Sequence, residues 1–196
     1  MFLNHDTTWQ GSPAMIDASY IGLLVSGAAT VSFYAWNSGF RAAVDQAAAP
    51  IKVPERSFGY SANDLVSFRE VASRHPTKFG RSALDLYRDS VLCIDIGFAI
   101  SLSLFSFLCW YIAAQRIDIP VLQSVALIGQ MAAFIYGLSD VAEDVTLRLL
   151  LAPHRQIRVS DATRASTLTL LKMLSLCASL VGFLVFIVLV LLFRKR

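Results

Sequence analysis

From Leu168 to Phe193 the chain is almost unbroken hydrocarbon, ending in GFLVFIVLVLLF, with Lys172 as its single charged side chain. A helix needs about 20 mainly apolar residues to cross the hydrocarbon of a bilayer, and in lipid only a helix or a closed barrel satisfies its own backbone. No other feature restricts the fold as tightly. Three further runs have the length: Ile16 to Trp36, Val91 to Ala114, and Val121 to Ser139, the last continuing as helix through Leu151. The first is diluted by Gly, Ala, Ser and Thr, which leaves open whether it is a full span; such residues also let membrane helices pack closely. Charged residues make up 16% of the chain, where a soluble domain has about a quarter. The expected fold class is all-α: a polytopic membrane protein, a four-transmembrane-helix bundle forming a single membrane domain over residues 1–196. The spans are about 16–36, 91–114, 121–151 and 168–193. The bend QRIDIP is short, so the second and third spans are antiparallel neighbours, and Pro120 stands where a helix favours starting.

Orientation follows from the basic residues in the connections. The connection of about 37–90 holds eight (Arg41, Lys52, Arg56, Arg69, Arg74, Lys78, Arg81, Arg88), and that between the third and fourth spans holds four (Arg148, Arg155, Arg158, Arg164). The opposite side has Arg116 and the tail Arg194-Lys195-Arg196. Both long connections are therefore expected in the cytoplasm, with the termini outside. The first is too long for a bare loop. AAAPIKVPERS reads as a linker, and SANDLVSFREVASRH as an amphipathic helix with Ser61 at its N-cap and Leu65, Phe68 and Ala72 on one face. That face suits either an anionic membrane surface or an ordinary solvated hairpin. RSALDLYRDS extends the second span backwards.

Charges inside a bilayer are costly and usually face a bundle interior, a partner or water. Asp95, Asp140, Glu143, Asp144 and Lys172 come from three spans, and all lie near the same membrane face. At about 100° per residue, Gly129, Gln130, Ala133, Gly137, Asp140, Asp144 and Arg148 form one small-and-polar stripe on the third span. Asp95, Ala99 and Ser106 do so on the second, Lys172, Ser175, Ser179 and Gly182 on the fourth, and Gly22, Ser26 and Thr30 on the first. Four helices turning these faces inward would pack closely through Gly22, Ser26, Gly129, Ala133, Gly137, Ser175 and Ser179. The expected ion pairs are Asp140 or Asp144 with Arg148, and Asp95 with Lys172. The candidate polar site is thus Asp95, Asp140, Glu143, Asp144, Arg148 and Lys172. It reads either as structural glue at the membrane interface or as a polar pocket for a proton, a cation or a headgroup. Oxygen chemistry would also admit a metal at Asp95, Asp140, Glu143 and Asp144, although no metal or other cofactor is expected.

The remaining residues carry less. Cys93, Cys109 and Cys177 are an odd set inside apolar runs, fitting packing rather than disulfides or zinc. No His lies within a span. Trp36, Trp110 and Tyr111, near span ends, fit an interfacial aromatic belt. The first fourteen residues contain no Lys or Arg, so no cleavable signal peptide is expected. The formal charge of +3 is small, and no nucleic-acid partner is expected. No GxSxG, HExxH, P-loop or GxGxxG stands in the chain.

Tyr87, then Asp95 early in one span, then Asp140-x-x-Glu143-Asp144 late in the next, resembles a scattered group of small four-helix bacterial membrane proteins with a Tyr…Asp helix and a D-x-x-E-N motif. The resemblance covers roughly Leu84 to Leu151, about a third of the chain, and Asp144 stands where the group has Asn. It implies a bundle with an acidic seam in a bacterial cytoplasmic (inner) membrane and implies no substrate. The leading functional expectation is a non-catalytic accessory or assembly protein, with the lipid bilayer and other membrane subunits or a second copy as partners. The alternative is proton- or cation-linked transport or ligand binding at the acid cluster. A membrane-embedded enzyme acting on lipid is the weakest of the three.

Overall fold

The computed structural model describes residues 13–57 and 59–193. Five helices carry the fold: α1 (Pro13–Ala48), α2 (Ala62–Arg74), α3 (Ala83–Ala114), α4 (Pro120–Leu150) and α5 (Val159–Phe193). Among the described residues there is no β-strand, only an isolated bridge between Pro76 and Ser82. All but α2 are long and apolar enough to cross a membrane. The chain is a multi-pass, all-α membrane protein.

The spanning helices are longer than the apolar runs alone suggest. α4 has 31 residues and α1 has 36, so they measure roughly 46 to 54 Å against about 30 Å of hydrocarbon. The excess gathers at one end. α1 continues to Ala48 rather than stopping at Trp36, α3 begins at Ala83 rather than Val91, and α5 begins at Val159 rather than Leu168. Local signals support these limits. The Ser82 hydroxyl accepts the Asp85 N–H at 3.1 Å to cap α3, and Pro120 occupies the first turn of α4. Before α3, the chain reverses at Gly80, whose φ of 74° lies in the left-handed region that glycine adopts without a Cβ clash.

α2 lies between those protruding ends. Its N-terminus carries a full capping box: the Ser61 hydroxyl accepts the Asp64 N–H at 3.3 Å, and the Asp64 carboxylate accepts the Ser61 N–H at 2.7 Å. These bonds hold the Asp64 carboxyl below the usual aspartate range. Leu65, Phe68 and Ala72 are fully buried in a core shared with Val44, Ala48, Tyr87 and Leu147. The apolar face of α2 is therefore spent inside the protein rather than on a membrane surface or in solvent. Each large side chain buried this way contributes about 1.5–3 kcal/mol.

In the bundle, α1 packs on α3, α3 on α4 and α4 on α5. The seam between α3 and α4 is close. A Cβ at Gly137 would collide with the Ser103 side chain, and one at Gly129 with the Trp110 indole. Ser103 donates to the Ala133 carbonyl at 2.8 Å. Trp110 is 1% exposed, so it is a core residue and not part of an aromatic belt. The bare Gly129 opens the slot that its ring fills, and Phe183 and Phe186 close it edge-on. Its N–H donates to Ser179 at 3.1 Å, and Ser179 also bonds Ser106 at 2.8 Å. Trp36, by contrast, is exposed. Ser26, Ala133 and Ser175 are buried, and Gly22 faces Leu108.

Candidate functional site

α4 is flanked on both sides, so the face carrying Asp140 and Asp144, one turn apart, has nowhere to go but inward. Asp140, Glu143 and Asp144 are all buried, the last two with no exposure. From α5, Lys172 reaches across, its Nζ 2.8 Å from Asp140 Oδ1 and 2.6 Å from Glu143 Oε2. The other carboxylate oxygens on this side are also engaged. Tyr136 donates to Asp140 Oδ2 at 2.8 Å, and Thr169 to Glu143 Oε1 at 2.5 Å. Tyr60, from the connection before α2, donates to the same Glu143 oxygen at 3.4 Å. Burial and the Glu143 carboxylate push the Tyr60 phenol well above its ordinary range, so it keeps its proton and stays a donor.

A second group assembles on the α1–α3 side. Asp95 Oδ2 lies 2.6 Å from the Arg41 guanidinium. The same guanidinium is 3.5 Å from Glu55, which sits on a short 3₁₀ turn between α1 and α2. Tyr87 donates to Glu55 Oε2 at 3.1 Å. It starts a π-helical turn, Tyr87–Val91, within α3; such turns often occur at functional sites. Asn37 donates to the Val91 carbonyl at 3.3 Å and to Asp95 at 3.5 Å.

Asp144 stands between the two groups and belongs to neither. Its carboxylate, with those of Glu55 and Asp95, offers oxygens all within 4.8 Å of one another. Neither Asp144 oxygen has a partner among the described residues. The Asn37 side-chain oxygen, also buried, has none either. Five carboxylates (Glu55, Asp95, Asp140, Glu143, Asp144) thus share two basic side chains, Arg41 and Lys172, leaving a formal excess of three negative charges. Isolated buried charges cost several kcal/mol each, so the arrangement calls for further positive charge. Asp95 and Asp140 stand about 20 residues from the bend between α3 and α4, where the helices leave the hydrocarbon. The most exposed member is Arg41, with 26% of its side chain accessible.

The pairing differs from that expected of the sequence. Asp95 meets Arg41 rather than Lys172, because α1 lies against α3 whereas α5 lies against α4. Arg148 is outside the cluster: it is half exposed, and its nearest acid is Asp89 of α3 at 4.0 Å. It shares the stripe with Asp144, but its long side chain turns outward to Asp89 and solvent. Arg41, Asn37, Glu55, Tyr60, Tyr136 and Thr169 complete the site and were not among the expected residues. Asn37 and Arg41 had a signal, since a four-residue spacing continues the periodicity of α1 past Trp36. Glu55, directly after the second proline of a linker, had none.

No protein-family model, no curated protein and no solved structure matches this chain. The resemblance carried by Tyr87, Asp95 and the Asp140–Asp144 motif therefore stands on those residues alone.

Proposed function

We propose that this is a cation-binding membrane protein: its buried carboxylates take up a proton or a metal cation, in the service of transport or of ligand sensing. The observation that supports this over a purely structural seam is Asp144. A structural ion-pair network closes on itself, as Lys172 does with Asp140 and Glu143. Asp144 is equally buried, lies beside two more acids, and has no hydrogen-bond or ion-pair partner among the described residues. The twelve Lys and Arg residues of the two long connections favour a cytoplasmic site in a bacterial inner membrane, with Arg41 at its mouth.

The test is the melting temperature of purified protein, measured across pH and across divalent-cation concentration. Wild-type protein should respond to one or both, and Asp144→Asn should lose that response. Coincident curves for the two proteins would remove the basis of the reading. A second reading, assembly with other membrane subunits or with a second copy, draws on α1. This helix packs chiefly on α3 and leaves Leu24, Val25, Val31 and Trp36 outward. Copy number in lipid nanodiscs distinguishes a self-assembling chain from a monomer.

A further inference from the structure

We propose that Glu55, Asp95 and Asp144 bind one hard divalent cation of the Mg2+, Mn2+ or Ca2+ kind. This deepens the cation-binding reading and rests on it. Three separate elements supply the ligands: the 3₁₀ turn, α3 and α4. A divalent ion binds oxygen at about 2.0–2.6 Å, so ligands on opposite sides of it stand about 4–5 Å apart. The Glu55, Asp95 and Asp144 oxygens, all within 4.8 Å of one another, fit around one such ion. Asp144 is fully buried there, and neither of its oxygens has a hydrogen-bond partner among the described residues.

The donor chemistry narrows the class. All the ligands are oxygen, with no His or Cys in the group, which suits hard cations rather than zinc or copper. Charge agrees as well. Three carboxylates beside Arg41 carry a formal −2, which a divalent ion cancels. In the protein as described, Arg41 holds part of that role: its guanidinium lies 2.6 Å from Asp95 Oδ2. It sits at the partly exposed rim, so it can yield Asp95 Oδ2 to the entering ion while its charge stays beside the cluster. The Tyr87 hydroxyl holds Glu55 Oε2, leaving Oε1, the oxygen facing Arg41, free to turn to the metal. Ion binding would tie the 3₁₀ turn before α2 to α3 and α4.

The probe is Mn2+, titrated into metal-free full-length protein in lipid nanodiscs, with free Mn2+ read by electron paramagnetic resonance. Wild-type protein should hold one Mn2+ per chain, displaceable by Mg2+ or Ca2+. Asp144→Asn and Glu55→Gln should each weaken binding about tenfold or more, the loss seen on disturbing even outer-shell groups of metal sites. Asp118→Asn, in the exposed bend at the far end, should bind as wild type. If Asp144→Asn does not fold, Glu55→Gln decides the matter, since Glu55 lies outside the spanning helices. No saturable Mn2+ in wild-type protein, or wild-type affinity in Glu55→Gln, overturns the metal site. Should Mn2+ fail while the melting temperature still depends on pH through Asp144, the proton form of the cation-binding reading stands alone. If that dependence is missing too, both fall.

Discussion

Replacing Lys172 by Met removes the one cation shared by Asp140 and Glu143 while keeping the length and apolar stem of the side chain. In wild-type protein the ammonium lies 2.8 Å and 2.6 Å from the two carboxylates, which are 5% and 0% exposed. At an effective dielectric near 20, a unit charge pair is worth about 4 kcal/mol at 4 Å. Desolvating three charged groups costs several kcal/mol each, so the net value of the triad is small. Removing one partner is different, because it leaves the desolvation without the attraction. Breaking a buried pair in this way costs about 3–5 kcal/mol. Lys172→Met should therefore lose about that much, measured by reversible unfolding in mixed micelles. Neutralising the acids as well, in Lys172→Met/Asp140→Asn/Glu143→Gln, should recover most of the loss, since Tyr136 and Thr169 can still bond the amides. A loss below about 1 kcal/mol in the single variant, or a triple variant no more stable than the single, would show that Asp140 and Glu143 do not depend on Lys172 for charge balance.

Gly137→Ala should cost about 1–3 kcal/mol, because its Cβ would collide with Ser103, whose hydroxyl is fixed on the Ala133 carbonyl; Gly39→Ala, with nothing within 4 Å, should be neutral or stabilising by up to about 1 kcal/mol. Thermal unfolding of the two variants side by side checks this contrast. Ser61→Ala should cost about 0.5–2 kcal/mol and speed amide exchange in the first turn of α2. Asp64, whose folded value is lowered by the same cap, contributes stability above its unfolded value near pH 3.9 and loses it as pH falls through the folded value; amide exchange in that turn should therefore quicken with acid beyond the intrinsic rate in wild type, and less so in Ser61→Ala. Arg41→Gln should tighten Mn2+ binding several-fold by removing a cation 2.6 Å from Asp95, and unchanged or weaker binding would count against Arg41 as the ion's competitor.

Hydrophobic runs locate membrane helices well because the bilayer thickness sets their length. Ile16–Trp36, Val91–Ala114 and Leu168–Phe193 all fall within helices of the structure. The same signal fails where a helix leaves the hydrocarbon. Asn37 to Ala48 is polar enough to read as a connection, yet it continues α1 because Val44 and Ala48 have α2 and α3 to pack on. Arg41 lies in that stretch, so the sequence alone offers Arg148 in its place as the cluster's second cation. Period also says which residues share a face but not how far a side chain bends from it. Asp144 and Arg148 lie on one stripe, yet Asp144 is sealed between helices while Arg148 turns to Asp89. The inward gathering of Asp95, Asp140, Glu143, Asp144 and Lys172 could be read from spacing and depth. Glu55 could not, since a linker acid acquires its place only when α2 folds back over the bundle.

In a cation-binding site of this kind, the carboxylate of Asp144 is balanced by a proton or a cation and not by the protein. Infrared difference spectra of wild-type protein against Asp144→Asn, in lipid with and without Mn2+, isolate that one group. The expected spectrum shows either the carbonyl stretch of a protonated carboxyl at Asp144, replaced by a coordinated carboxylate when Mn2+ is added, or a coordinated carboxylate from the start that chelation removes. A free, ionised Asp144 carboxylate, unchanged by Mn2+ and by pH, would contradict it.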